Sequence, residues 1–259
     1  MRIGAYQFAV TGNIDKNRES IKKAISEAVS RKIDLLIFPE CALTGYPPYD
    51  ITNSSAVDFD KVINAIEELQ GTVRQNCVSV ILGTILKENT EIYNSAVCFV
   101  PDREPIIYSK RALWGYDKDN FTAGSRPGII QIADRKIGIR ICFEVRFPEY
   151  FRELYQQDTD LNVILFYDIS EQENMERYEL IRSHIRTRAV ENVCHTLTVN
   201  TCKTYQTAPT ALFDRSGRVM IEQTRNKESM LVYDLDFAPL GFGEQGRKEI
   251  SDVLVNQRV

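Results

Sequence analysis

The chain has 259 residues, 43% of them hydrophobic, and a formal net charge of −4 at pH 7. This length can bury a sizeable core, and the lack of a basic excess or a dense Lys/Arg run argues against nucleic-acid binding. No apolar run approaches the roughly 18 residues of a membrane helix, and no signal-peptide pattern opens the chain, so we expect a cytoplasmic protein without membrane contact.

Strand-like and helix-like segments alternate from the start of the chain. Asn13 can cap a helix over 14–31, whose apolar residues share one face at helical spacing. The run 35–38 is continuously apolar, as in a strand covered on both faces, and Pro39 ends it. The other elements predicted for this half are a strand over 2–10, a helix that begins near 59, and strands over 77–86, 92–100 and 105–108.

The segment 136–152 organises the second half. Apolar residues alternate up to Ile141, which predicts a strand, and Pro148 suits the first position of a helix. Cys142 therefore lies where a strand ends and a helix begins. In α/β sheets, ligands gather at this carboxyl end of the strands. The remaining predicted elements are strands over 161–168, 193–200, 208–214, 218–222 and 230–235, a helix over 171–192, and a tail over 238–259 without a strong period.

This alternation of strands and helices predicts an α/β fold, with sheets inside and helices outside. The six cysteines are scattered without a C-x-x-C pair, so neither a zinc site nor a disulfide framework is indicated. No repeat, low-complexity tract or long linker marks a boundary, and we therefore expect a single domain over 1–259.

Each candidate functional residue also has a plain structural interpretation. Cys142 could be a nucleophile activated by backbone N–H groups and a nearby cation, or a small buried hydrophobe. Glu40 directly follows a buried strand, where a carboxylate is costly unless it is paired or functional, but a solvated loop position is the alternative. Lys110 alone is uninformative, because most lysines are solvated. The long irregular stretch 113–128 is typical of a functional loop.

Taken together, the motifs resemble those of the nitrilase, or carbon–nitrogen hydrolase, superfamily. They occur in the family's order and span nearly the whole chain: FPE at 38–40 with TGY soon after, YSK at 108–110, GIRICFEVRFPEYFR at 138–152, RTRAVEN at 186–192 and the FDRSG hairpin. The resemblance implies a four-layer α-β-β-α sandwich and a Glu-Lys-Cys triad, which by position would be Glu40, Lys110 and Cys142.

The implied chemistry is hydrolysis of a carbon–nitrogen bond. The Cys142 thiolate would attack the carbonyl carbon, and Glu40 would carry protons between the thiol, the leaving amine and water. Lys110 and the backbone N–H of Phe143 would meet the oxyanion. We expect a small amide or N-carbamoyl amine as substrate, a thioester intermediate, release of ammonia or an amine, and no metal or organic cofactor. Nitrile hydrolysis by the same triad, or a catalytically silent binding or regulatory protein on this fold, are the alternatives.

One departure from the family pattern concerns a second glutamate, which many members carry in the loop after the lysine. Residues 111–141 contain no glutamate, and Asp117 is the nearest candidate to replace it. Arg146 could bind an acid group of the substrate with its planar fork, or pair with Glu144 or Glu149 and brace the turn. The expected substrate contacts are Tyr46, Tyr116, Asp117 and Arg146.

A Cys-His hydrolase is a further alternative, but the chain has only two histidines. His195 is in phase with the apolar residues of its predicted strand, and His184 lies among arginines on a helix, so neither is favoured as a base. The family fold commonly doubles by pairing helix layers. We therefore expect a homodimer or a higher even oligomer, with the tail at about 238–259 contributing to the interface.

Overall fold

The computed structural model describes residues 1–256. The first half of the chain forms β1 (Arg2–Gln7), α1 (Ile14–Ser30), β2 (Leu35–Ile37), α2 (Phe59–Asn76), β3 (Ser79–Glu88), β4 (Glu91–Phe99) and β5 (Ile106–Ser109). The second half forms α3 (Tyr116–Asn120), β6 (Ile129–Ile132), β7 (Arg135–Ile141), α4 (Pro148–Gln156), β8 (Leu161–Phe166), α5 (Met175–Glu191), β9 (His195–Asn200), β10 (Ala211–Phe213), β11 (Val219–Glu222), β12 (Ser229–Asp234) and α6 (Phe242–Asn256).

Two six-stranded mixed sheets form the centre of the described part of the chain. Their strand orders are β12-β1-β2-β3-β4-β5 and β11-β10-β9-β8-β7-β6. The strands that lead into Glu40 and Cys142 lie inside their sheets, since β2 runs parallel to both β1 and β3, and β7 runs parallel to β8, whereas β5, which leads into Lys110, is an edge strand. Helices α1 and α2 cover the first sheet and α4 and α5 cover the second, which confirms the four-layer α-β-β-α sandwich.

Three apolar clusters separate these four layers, and the alternation of side chains along each strand assigns residues to them. In β8, Leu161, Val163 and Leu165 lie in the cluster between the sheets, while Ile164 and Phe166 pack against the outer helices. Burying one such side chain contributes about 1.5–3 kcal/mol. The strongly apolar runs of the sequence are therefore explained by strands that are covered on both faces.

The ends of strands from both sheets meet at one place. Glu40 follows β2 in the first sheet, and its backbone N–H donates to the carbonyl of Phe166 at the end of β8 in the second sheet, at 3.3 Å. The turn that carries Glu40 passes directly over Gly83 of β3: a Cβ there would lie 2.1 Å from the carbonyl oxygen of Pro39 and 2.7 Å from the Cα of Glu40. Only glycine allows this approach.

Two predicted irregular segments are partly regular. The stretch at 113–128 contains the five-residue helix α3, and the tail forms α6. Several apolar residues of α6 do not face the chain's own core, so the tail lacks a clear helical periodicity. These exposed residues are Phe242, Ile250, Val253 and Leu254. Residues 257–259 of the predicted tail lie outside the described residues.

Candidate active site

A buried carboxylate, Glu40, forms the centre of the candidate site. Its Oε1 accepts hydrogen bonds from Lys110 Nζ and Asn94 Nδ2, both at 2.7 Å, and its Oε2 accepts one from the backbone N–H of Tyr167 at 2.9 Å. The residue is 1% exposed, so the alternative of a solvated loop position is wrong. Burial raises the pKa of the Glu40 carboxyl above its usual value, although Lys110 and Asn94 oppose that shift.

Lys110 lies between two carboxylates. Its Nζ is 2.7 Å from Glu40 Oε1 and 2.6 Å from Asp117 Oδ2, and the hydroxyl of Tyr46 donates to Asp117 Oδ1 at 2.8 Å. Burial alone would lower the pKa of Lys110, but Glu40 and Asp117 raise it well above the usual value. The side chain is therefore an ammonium ion held in a fixed place, which suits electrostatic stabilisation of a developing negative charge.

Cys142 begins a short 3-10 turn, Cys142–Arg146, directly after β7. Its φ angle of +44° is left-handed, a conformation that costs a residue with a side chain on the order of 1–3 kcal/mol and that clusters at functional sites. Burial and the Glu40 carboxylate raise the pKa of the Cys142 thiol well above its usual value, despite Lys110. The resting sulfur is therefore a thiol, and a nucleophilic role would need a base.

The carboxylate of Glu144 holds this turn in place. Its Oε1 accepts hydrogen bonds from the hydroxyl of Tyr108 at 2.7 Å and from the backbone N–H of Arg111 at 2.8 Å, and its Oε2 accepts one from the backbone N–H of Ile141 at 2.7 Å. These donors lie on both sides of Lys110 and directly before Cys142. One buried side chain thus fixes the lysine segment against the cysteine turn.

A cavity of about 170 Å³ opens onto Cys142 and Lys110. It has room for several water molecules or for a small organic molecule. One wall is an aromatic stack in which Tyr167 lies 5.0 Å from Tyr46 and 6.0 Å from Tyr49, measured between ring centroids. The other lining residues include Trp114, Tyr116, Asp117, Phe143, Val145, Arg146, Phe166, Asp168, Ile169, Arg177 and Ile181.

Two arginines line the cavity in different states. Arg177 is engaged, because its Nε and Nη2 each donate to Asp168 at 2.8 Å. Within residues 1–256, the Arg146 guanidinium makes no hydrogen bond or salt bridge, and it lies 5.8 Å from the ring centroid of Phe143. The alternative in which Arg146 pairs with Glu144 or Glu149 therefore has no support in these contacts.

The residues expected at the site lie together: Lys110, Cys142, Phe143, Tyr46, Tyr116, Asp117 and Arg146 line the cavity, and Glu40 contacts Lys110. Sequence reasoning missed Asn94, Tyr167, Asp168 and Arg177. Tyr167 and Asp168 carried a usable signal, since they follow an apolar strand as Glu40 does. Neither histidine lines this cavity; His195 is buried, with its ring 6.3 Å from that of Phe237.

Residues 1–256 offer no support for two other classes of site. This part of the chain holds no group of three or more His, Cys, Asp or Glu side chains that could bind a metal ion. None of its helices combines the length and the apolar character that crossing a membrane requires.

Comparison with known proteins gives consistent matches. A family model described as "Carbon-nitrogen hydrolase" matches residues 2–242. The chain is 28% identical over 218 residues to an (R)-stereoselective amidase of a Pseudomonas species, covering 78% of this chain and 74% of the relative. It is 27% identical over 249 residues to the 2-oxoglutaramate amidase of Bacillus subtilis (strain 168), covering 90% of each.

Among solved structures, an amidase from Nesterenkonia sp. AN1, a cysteine-to-alanine mutant in complex with butyramide, superposes with a TM-score of 0.82. The match covers 99% of this chain and 97% of that chain at 20% sequence identity. This likeness shows a shared fold, since function on a fold is decided by the residues of the site.

Proposed function

Because the chain belongs to the carbon–nitrogen hydrolase family, as an amidase-like member of the nitrilase superfamily, we propose that it hydrolyses a small amide or N-carbamoyl amine through a cysteine thioester. The observation that carries this proposal is the buried cluster of Glu40, Lys110 and Asp117 beside the cavity that Cys142 lines. A thiol, a shielded carboxylate and a fixed ammonium are the three groups that acyl transfer from an amide requires.

The first half of the reaction forms the thioester. Glu40 takes the thiol proton as the sulfur of Cys142 bonds to the carbonyl carbon, and the negative charge moves to the carbonyl oxygen. Lys110 and the backbone N–H of Phe143 stabilise that oxyanion. Protonated Glu40 then gives its proton to the departing nitrogen, the carbon–nitrogen bond breaks, and ammonia or an amine leaves.

The second half returns the enzyme to its starting state. Glu40, ionised again, takes a proton from a water molecule as the water oxygen attacks the thioester carbonyl. The carbon–sulfur bond breaks, the acid product leaves, and the proton on Glu40 returns to the sulfur of Cys142. Each proton that Glu40 accepts is therefore given back within one turnover.

Asp117 takes the place of the family's second glutamate in this proposal. With Glu40 ionised, two carboxylates and one ammonium leave the buried cluster with one net negative charge. Once Glu40 has accepted the thiol proton, the cluster is neutral. Because a net charge is costly to bury, Asp117 makes Glu40 a stronger base while it anchors Lys110. Tyr46 holds Asp117 in this position.

The substrate carries an acid group at the end remote from the amide, and Arg146 binds it. The guanidinium of Arg146 lines the cavity and has no partner within the described residues, so its fork is available to a carboxylate. The similarity to a 2-oxoglutaramate amidase supports an ω-amido acid. The small volume of the cavity favours a short substrate.

A substrate screen read by ammonia release tests these proposals. Short ω-amido acids, matching neutral amides, N-carbamoyl amines and nitriles are compared for the wild type and for Cys142→Ala, the blank for hydrolysis by Cys142. We expect turnover of amides, with the ω-amido acids preferred and that preference lost in Arg146→Ala. Turnover of nitriles alone would establish the nitrile alternative, and no turnover in any class would support a silent binding protein.

The predicted homodimer would involve α6. Its exposed Phe242, Ile250, Val253 and Leu254 are apolar groups that a second copy of the chain would remove from water. Light scattering should give a mass of twice 29.7 kDa or a higher even multiple. A dimer that persists after deletion of Ile250 to Val259 would remove the tail from the interface. The single domain and the cytoplasmic location stay predictions.

A further inference from the structure

Asn94 of β4 contacts the carboxylate of Glu40 and the backbone of Lys110 at the centre of the candidate site. Its side-chain Nδ2 donates to Glu40 Oε1 at 2.7 Å, and its backbone carbonyl accepts from the N–H of Lys110 at 2.8 Å. The residue is 1% exposed and does not line the cavity, so it cannot touch a substrate there. It connects three segments that are far apart in sequence.

The orientation of the Asn94 amide is determined by its two neighbours. Its Oδ1 accepts from the thiol of Cys41, with a sulfur–oxygen distance of 3.7 Å, while its Nδ2 faces the carboxylate. The flipped amide would put two acceptors, Oδ1 and Glu40 Oε1, in contact. Burial raises the pKa of the Cys41 thiol well above its usual value, so it stays protonated and keeps its hydrogen as a donor.

We propose that Asn94 is a positioning residue that directs proton transfer to Oε2 of Glu40. This inference rests on the proposed role of Glu40 as the base. A carboxylate oxygen has two lone-pair sites, and both sites of Oε1 are occupied by Lys110 and Asn94. Oε2 has a single donor, the N–H of Tyr167, and keeps one site for the proton.

The packing around Gly83 explains why one amide can control this geometry. The backbone at Pro39 and Glu40 lies against Gly83 without room for a Cβ, so the Cα of Glu40 is fixed. Its side-chain torsions are the freedom that remains. Lys110 and Asn94 hold Oε1 and Tyr167 holds Oε2, so loss of the Asn94 donor leaves Oε1 to Lys110 alone and frees one of its lone-pair sites, which loosens the carboxylate about its terminal bond.

The test compares Asn94→Ala with Asn162→Ala. Asn162 of β8 is equally buried and does not contact Glu40, Lys110 or Cys142, so its variant loses the same atoms elsewhere. We expect kcat of Asn94→Ala on an amide substrate to fall about 10- to 100-fold, the effect of losing one hydrogen bond to a charged group. KM should stay within a factor of about two, because Asn94 is outside the cavity.

A second readout does not depend on the substrate. The rate at which iodoacetamide alkylates Cys142 is followed against pH by peptide mass spectrometry, with the exposed Cys77 as the internal reference. The hydrogen bond from Asn94 stabilises the ionised form of Glu40. Removing this bond therefore raises the pKa of Glu40. The acid limb of the Cys142 profile should move up by about one pH unit in Asn94→Ala and stay in place in Asn162→Ala.

The two readouts separate this inference from the proposed function. Absence of amide turnover in the wild type would overturn the hydrolase proposal, whereas the alkylation profile would still test Asn94. An unchanged acid limb in folded Asn94→Ala, or an equal shift at Cys77, would overturn the positioning role. If Asn94→Ala fails to fold, Asn94→Ser provides the same test, because its shorter hydroxyl does not span the distance to Oε1 and leaves a smaller cavity.

Discussion

Two fully buried carboxylates lie at the same end of the sandwich, and their surroundings differ in kind. Glu40 and Glu144 are both at most 1% exposed, and each accepts three hydrogen bonds. Two of the three donors to Glu144 are backbone N–H groups, and the third is a phenol. Glu40 receives one backbone N–H, one amide and the ammonium of Lys110.

The difference between the two carboxylates shows that burial alone does not identify a base. Two of the donors to Glu144 are backbone N–H groups, which cannot pass on a proton, and burial raises the pKa of the third donor, Tyr108, well above its usual value, so the Glu144 site serves geometry. Glu40 lies beside a cation and a second carboxylate, Lys110 and Asp117, whose charges change its proton affinity. The Glu144 site fixes the relative positions of Lys110 and Cys142, and the Glu40 site acts on these two residues. The following variants test this distinction.

The largest effect is expected from Glu40→Gln, which keeps the shape of the side chain but cannot carry protons. Turnover should fall by at least about 10²–10³-fold, toward the level of Cys142→Ala. Stability should change less than turnover, because two effects oppose each other: the N–H₂ of the new amide must face one of the three donors, while the neutral side chain removes the buried charge whose cost raises the pKa of Glu40. Ammonia release and thermal unfolding measure the two effects. Near-normal turnover would contradict the role of Glu40 as the base and favour a histidine base, with His195→Gln as the next variant.

Glu144→Gln should give the reverse pattern. A glutamine amide cannot accept from all three donors, so its N–H₂ must oppose either Ile141 or the pair of Tyr108 and Arg111. One unpaired buried donor costs about 1–3 kcal/mol, which is about 2–12 °C in Tm for a chain of this size. The pH midpoint of Cys142 alkylation should not move. A folded protein of wild-type Tm would contradict the bracing role.

Asp117→Asn tests whether a neighbouring charge sets the proton affinity of Glu40. The Asp117 carboxylate raises the pKa of Glu40, so its loss lowers that pKa and weakens the base. The acid limb of Cys142 alkylation should therefore move to lower pH, opposite to the shift expected for Asn94→Ala, and kcat should fall about tenfold. Asp119→Asn, an exposed neighbour on α3, is the control. A shift to higher pH would show that Asp117 does not act through its charge.

Much of this arrangement could be predicted from sequence, because it depends on where strands end. Pro39 ends an apolar run just before Glu40, and the alternation before Cys142 ends at the turn. The same runs predict sheets inside and helices outside, and the motif resemblance added the four-layer arrangement. Motif resemblance added Lys110, since a lysine after a short strand carries no signal by itself.

The parts that could not be predicted depend on contacts across the fold. Asn94 lies inside β4, and its partner Glu40 is 54 positions away, so no local pattern relates them. Tyr167 contributes a backbone N–H, which every residue but proline has. The five residues of α3 are too few to show a helical period, and the apolar residues that α6 leaves exposed obscure the periodicity by which a core-facing helix is predicted.

The smallest effect is expected from Tyr108→Phe, which removes one of the three donors to Glu144 and leaves both backbone N–H groups. The loss of this hydrogen bond should cost about 1–2 kcal/mol, or about 2–8 °C in Tm. The phenyl ring still fills the space, so kcat should stay within about twofold and the pH midpoint of Cys142 alkylation should not change.

Tyr93→Phe is the matched control for Tyr108→Phe, because within residues 1–256 its hydroxyl makes no hydrogen bond and its removal should leave Tm unchanged. The informative outcome is the pH profile. If Tyr108→Phe shifted the acid limb of Cys142 alkylation as Asn94→Ala is expected to do, Glu144 would exchange protons with the site, and the distinction between the two carboxylates would fail. If only Tm fell, the donors around Glu144 would act through geometry alone, by holding the side chain that fixes the lysine segment against the cysteine turn.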